Sequence, residues 1–131
     1  MGRDHTDEEG DWSEIRMLDN RVRHGQGLEF TEEVRDLLRR TAPTVGLREA
    51  EAEAGLASPA TRLSLLNELR RRIDEGSNRL MDALHRMYRL RDRGAWDEAR
   101  QQLREVLAVE VVPLYRDIAQ SELAKLDEPG P

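Results

Sequence analysis

The stretch from Ser58 to Leu126 sets the strongest limits on what this chain can fold into. Ser58-Pro59 is a helix start: the serine oxygen can accept an otherwise orphaned amide, and proline fits the first helical position. From there Leu63, Leu66, Leu69, Ile73, Leu80, Leu84, Met87 and Leu90 recur at spacings of three, four and seven, the signature of one buried helix face. Gly76 interrupts this run at a cost of about 1 kcal/mol relative to alanine. Ile73 and Leu80 stay in phase across it, so the spacing predicts one continuous helix, with a break at Gly76 as the rival. Gly94 permits a tight turn, and Asp97 and Glu98 open the next helix at its positive end. Ala99, Leu103, Val106 and Leu107, with Val109 or Val111, form its apolar stripe. Pro113 either kinks that helix or begins another, and Leu114, Ile118, Leu123 and Leu126 carry the pattern on.

The segments upstream read as a cover for this hairpin. Asp11 can cap a first helix, with Glu14 three residues later as in a capping box and Trp12, Ile15, Leu18 and Val22 on one face. His24-Gly25-Gln26-Gly27 stops it. Leu28-Glu29-Phe30 is a short extended connector without a partner strand. Thr31 caps a second helix that buries Val34, Leu37 and Leu38 and ends at Pro43. A third, short helix over residues 47–56 turns Leu47, Ala50, Ala54 and Leu56 inward. The expected fold is all-α: a compact bundle of five or six helices around a long central helical hairpin, with no sheet. One helical domain is expected over residues 11–127, between a disordered acidic tail at 1–10 and a short tail at 128–131.

Composition narrows function by exclusion. There is no cysteine, so thiol chemistry and disulfides are out. The first ten residues are polar and acidic, unlike a signal peptide, and the longest apolar run, Val106–Val112, is broken by Glu110, so a cytoplasmic protein is expected. The basic residues are 20 arginines and one lysine within a net charge of −6. Arginine dominates residues 62–104, with 11 basic against 7 acidic groups, while residues 1–61 hold 8 against 14.

That arginine stripe (Arg70-Arg71-Arg72, Arg79, Arg86, Arg89, Arg91, Arg93) invites a nucleic-acid reading. Glu68–Arg72, Glu75–Arg79 and Asp82–Arg86, each an acid four residues before a base, weigh against it as helix-supporting pairs worth about 0.2–0.5 kcal/mol each. An acidic chain also lacks the charge excess that drives phosphate binding, so no nucleic-acid partner is expected. Asp82 and His85 have a metal-ligand spacing but no second copy to complete a site. No nucleophile set or phosphate-cradling loop is found. No enzyme activity, metal, cofactor or small-molecule substrate is therefore expected.

Two stretches remain. Gly94-Ala95-Trp96-Asp97-Glu98-Ala99 looks like the turn of a tetratricopeptide repeat, although Met87 stands where that family has a small glycine and no second copy lies at the required period. Core packing in the groove between the helices is the first expectation for Trp96, with partner binding as the alternative. Val109-Glu110-Val111-Val112-Pro113-Leu114-Tyr115-Arg116 places Glu110 inside the most apolar run, so a buried pair of Glu110 with Arg86 or Arg89 is expected, with Arg93 also within reach. Arg89, Arg91, Arg93, Trp96, Tyr115 and Arg116 are the candidates for contact with a partner.

The runs Arg72-Ile73-Asp74-Glu75-Gly76-Ser77-Asn78-Arg79-Leu80, Met87-Tyr88-Arg89-Leu90-Arg91-Asp92-Arg93-Gly94, Ala99-Arg100-Gln101-Gln102 and Val109–Arg116 together resemble the DUSAM domain. This is a set of paralogous proteins best known from myxobacteria. The resemblance spans about Trp12 to Leu126. It implies a bacterial protein of a family without assigned activity and supplies no catalytic residues. The expected function is a non-catalytic protein-interaction module, a small regulatory or adaptor protein that binds another protein or itself. The alternative is an immunity-type inhibitor that blocks a basic toxin or enzyme, suited to the acidic first half.

Overall fold

A computed structural model describes residues 5–127, with side chains from Asp7 onward. Among these residues there are six helices and no strand: α1 (His5–Arg23), α2 (Glu32–Thr44), α3 (Glu49–Leu56), α4 (Pro59–Asp92), α5 (Trp96–Val109) and α6 (Pro113–Asp127). The contacts cluster into two compact units that divide between Ile73 and Asp74, inside α4, where one domain over residues 11–127 was the expectation. Each unit is a small bundle of helices.

In the N-terminal unit α1 packs on α2 and α2 on α3. Ile15, Leu38, Val45, Leu66, Leu69 and Ile73 are among its fully buried side chains. Helix α1 starts at His5, not at Asp11, so the acidic tail expected over residues 1–10 is helical from His5 onward. Residues 1–4 and the expected tail at 128–131 lie outside the described residues. Asp11 is no cap. It is 5% exposed and accepts two bonds from Arg40, both 3.1 Å, which gives a buried carboxylate the partner it needs. Trp12 donates its indole N–H to Thr44 at 3.0 Å.

Helix ends follow local chemistry. Thr31 accepts the Val34 amide at 3.1 Å as expected. Pro43, however, sits inside the last turn of α2. Proline there gives up the bond to the Arg39 carbonyl, and the helix ends one residue later, at Thr44. Gly25 and Gly94 have φ of 90° and 78°. Each lets two backbone bonds close the end of its helix, as Ala95 N–H to Leu90 and Gly94 N–H to Arg91 do for α4. Helix α3 starts two residues later than expected, so Leu47 lies outside it and does not set its phase: Ala52 and Leu56 are buried, whereas Ala50 and Ala54 are exposed.

Ser58 and Thr61 cap α4 reciprocally, amide to hydroxyl in both directions. The helix then runs for 34 residues without a break. Gly76 is buried within it, and a methyl group there would come within 2.6 Å of the Tyr115 ring and 2.9 Å of a Glu110 carboxylate oxygen. The glycine is a point of close approach between α4 and the start of α6, not a helix break.

The C-terminal unit is built from the second part of α4 with α5 and α6, which pack on each other. Met87, Ala99, Leu103 and Leu126 form one core cluster, with Leu84, Leu90 and Leu123 packed against it. Pro113 begins α6, as the first-position preference of proline favours. Val109 and Val111, one of which was expected in the apolar stripe, are 59% and 47% exposed. The chain leaves the helix at Glu110, and the buried apolar residue of that junction is Val112.

Candidate functional site

The C-terminal unit carries the residues expected at a partner contact or in the buried pair, and it sorts them into two groups. The first is a tied junction between α5 and α6. Glu110 caps the end of α5, one residue past Val109 and in extended backbone, and its side chain is 1% exposed. One carboxylate oxygen accepts from Arg79 at 2.8 Å. The other accepts the amides of Val111 and Val112, both at 3.0 Å, where the dipole of α6 favours negative charge. Arg116 works in the opposite sense: it donates to the carbonyls of Leu107 at 2.7 Å and Glu110 at 2.9 Å, the negative end of α5.

This corrects the expected partner. Glu110 is buried and paired, but with Arg79 and not with Arg86 or Arg89. Arg79 stands one turn along α4 from Gly76, where the missing side chain lets the carboxylate approach. Arg86 instead donates to Gln102 at 2.6 Å. Tyr115 is 7% exposed, its ring lying against Gly76. Tyr115 and Arg116, candidates for partner contact by sequence, are built into the junction.

The second group lies at the α4–α5 turn. Arg91 pairs with Asp92 and its guanidinium stands 4.9 Å from the Tyr88 ring centre. Arg89 and Arg93 are exposed, and their side chains make no ion pair or hydrogen bond among the described residues. Trp96 opens α5 and is 46% exposed. The packing expected of it falls to Ala99 and Leu103, one and two turns further along. Arg100 draws in two acids, Asp97 at 2.9 Å and Asp127 at 2.7 Å.

Other charged residues are engaged in structure. Arg70 donates to Arg16, Asp19 and Asn20, and Arg72 to Glu68 and Val45. Of the three acid–base pairs expected along α4, Glu68–Arg72 forms at 2.7 Å, while Arg79 and Arg86 turn to α5 and its end. Hydrogen bonds from Arg71, then Arg72, hold the Glu68 carboxyl below its ordinary range. Among the described residues no group of three or more His, Asp or Glu could hold a metal ion, and no helix is long and apolar enough to cross a membrane.

Sequence reasoning missed a feature of the N-terminal unit. Helices α1 and α2 leave a groove between them, made of two adjoining hollows of about 210 and 200 Å³ that share Leu18, Arg21 and Val34. Met17 stands at its lip, 58% exposed. Its signal in the sequence was Met17, a large apolar residue lying off the Trp12, Ile15, Leu18 and Val22 face.

No curated protein and no solved structure is detectably similar to this chain. A family model matches residues 10–126, nearly the whole length, and the chain belongs to that family, the proteins of unknown function designated DUF2379.

Proposed function

We propose that the chain is a non-catalytic protein-interaction module of the bacterial cytoplasm, a small regulatory or adaptor protein that meets another protein or itself at the α4–α5 turn. The observation that carries this reading is Trp96, 46% exposed at the first position of α5, with Arg89 and Arg93 nearby in the chain and free of acid partners. Tryptophan and arginine are the residues most enriched at the energetic centres of interfaces. A nearly half-exposed indole gains apolar burial on contact, and an uncommitted guanidinium can pair across the boundary without first losing a partner. No enzyme activity, nucleic acid, membrane, metal or other cofactor, or small-molecule substrate enters this reading.

A second reading, an immunity-type inhibitor of a basic toxin or enzyme, draws support from the α1–α2 groove, where Glu14, Glu29 and Glu33 line the two hollows against the single base Arg21. We also infer that the DUSAM resemblance and the DUF2379 family describe one set of proteins, because both extend over almost the same residues. The test of the leading reading is capture from native lysate on the immobilised chain. A specific protein retained in stoichiometric amount supports it. If no protein is retained while a metabolite raises the melting temperature, the interaction reading is wrong.

A further inference from the structure

We infer that the Trp96 turn of one molecule seats in the α1–α2 groove of a second copy, so that the chain self-associates through two unlike surfaces. The inference rests on the reading of the α4–α5 turn as a contact surface and names its occupant. The two surfaces are complementary in shape class and charge. The groove offers Leu18 and Val34 within it and Met17 at its lip, a polarizable side chain suited to packing against an aromatic ring. Glu14, Glu29 and Glu33 line it, and their side chains make no ion pair or hydrogen bond among the described residues, Glu14 alone acting at longer range on Arg40. Arg21, the one base there, leaves the groove acidic.

The turn offers the converse. Trp96 is an exposed apolar plug, and Arg89 and Arg93 are cations without partners. Of the acids beside it, Asp92 and Asp97 are held by Arg91 and Arg100, which among the described residues leaves Glu98 as one free acid against the two free arginines. Seating the plug would cover Met17 and Trp96, two exposed large apolar side chains, and place two free arginines against an acidic rim. Apolar burial supplies the affinity of such a contact, while the charges set partner and register. Because every copy carries both surfaces, two molecules can exchange turns reciprocally or assemble head to tail.

Sedimentation and tryptophan emission across the micromolar range test this on the full chain. Trp12 is 3% exposed, so a change in emission on association reports Trp96. The wild type is expected to gain mass with concentration while its emission shifts to the blue. Trp96→Ala and Met17→Glu are each expected to lose association while keeping their helical circular dichroism. Mixed together they should form a heterodimer, the intact turn of the Met17→Glu protein entering the intact groove of the Trp96→Ala protein. The charge-reversed pair, Arg89→Glu/Arg93→Glu with Glu14→Arg/Glu33→Arg, should likewise associate only when mixed, which covers the case in which one apolar variant fails to fold. A wild type that stays monomeric, or folded variants that do not complement one another, would overturn the inference. If the chain is monomeric yet Trp96→Ala loses a partner captured from lysate, self-association fails and the reading of the turn stands. If Trp96→Ala loses no partner either, both fail.

Discussion

Glu110 and Arg79 are 31 residues apart in the chain and 2.8 Å apart in the fold, and the carboxylate of this pair also receives the two amides that lead into α6. Three bonds to one buried side chain make Glu110 the fastening of the C-terminal unit. Glu110→Ala strands two amides and removes the acid from Arg79. Arg79, 36% exposed, can turn to water and recover part of the loss. The expected destabilisation is about 2–4 kcal/mol, read by chemical denaturation. Glu110→Gln keeps an oxygen for the amides and should cost about half as much. An unchanged melting temperature for Glu110→Gln would contradict the buried pair.

Gly76 should respond to alanine with the opposite sign from an ordinary helical glycine. Alanine normally stabilises a helix interior by about 1 kcal/mol. Here the added methyl would lie 2.6 Å from the Tyr115 ring and 2.9 Å from the Glu110 carboxylate. Gly76→Ala is therefore expected to destabilise by about 1–3 kcal/mol. In a Tyr115→Ala background, where the ring is gone, the penalty should shrink, and a double-mutant cycle measures that coupling.

Arg116 is expected to matter through geometry as well as charge. Its guanidinium reaches two carbonyls, those of Leu107 and Glu110. Arg116→Lys keeps the charge but not the planar fork, and Arg116→Ala keeps neither. Alanine should cost about 1–3 kcal/mol, with lysine in between, measured as the shift in denaturation midpoint. Equal stability of all three proteins would show that the end of α5 needs no cover.

Acid should loosen the N-terminal unit partly through Glu68. The Arg71 and Arg72 guanidiniums hold its carboxyl below the ordinary range. A carboxylate depressed on folding stabilises above its unfolded pKa, and that contribution is lost as pH falls through the folded value. The pair is partly exposed and screened, so the contribution is under about 1 kcal/mol. Stability curves of wild type and Glu68→Gln should run parallel above about pH 5 and converge below about pH 4. Convergence on raising the pH would contradict the assignment.

The sequence carried the parts of the fold that depend on near neighbours. Thr31, Ser58-Pro59, Gly25 and Gly94 act within a few residues, and each ends or begins a helix where its chemistry says it should. The phase of α4 survived Gly76 because Ile73 and Leu80 lie on one face whatever separates them. What was not legible depends on distant partners. Asp11 has the look of a helix cap, yet Arg40, 29 residues away, claims it. Glu75 stands at the right spacing for Arg79, but Glu110 offers that arginine a buried carboxylate on another element. Shifts of one or two residues in helix ends account for the rest. Each residue turns a helix face by about 100°: Leu47 lies outside α3 and does not set its phase, so Ala52 and Leu56 face inward in place of Ala50 and Ala54, while Val109 falls on the outer face of α5 and Val111 lies beyond its end.

The claim that the α4–α5 turn is a contact surface is tested most directly by comparing wild type with a Trp96→Ala/Arg93→Glu variant as baits in one native lysate. Quantitative mass spectrometry would read the retained proteins, this chain included, beside the melting temperature of each bait. The account predicts at least one protein held by the wild type and lost from the variant, with the two baits melting within a few degrees of each other. Identical retention by two equally stable baits would contradict it.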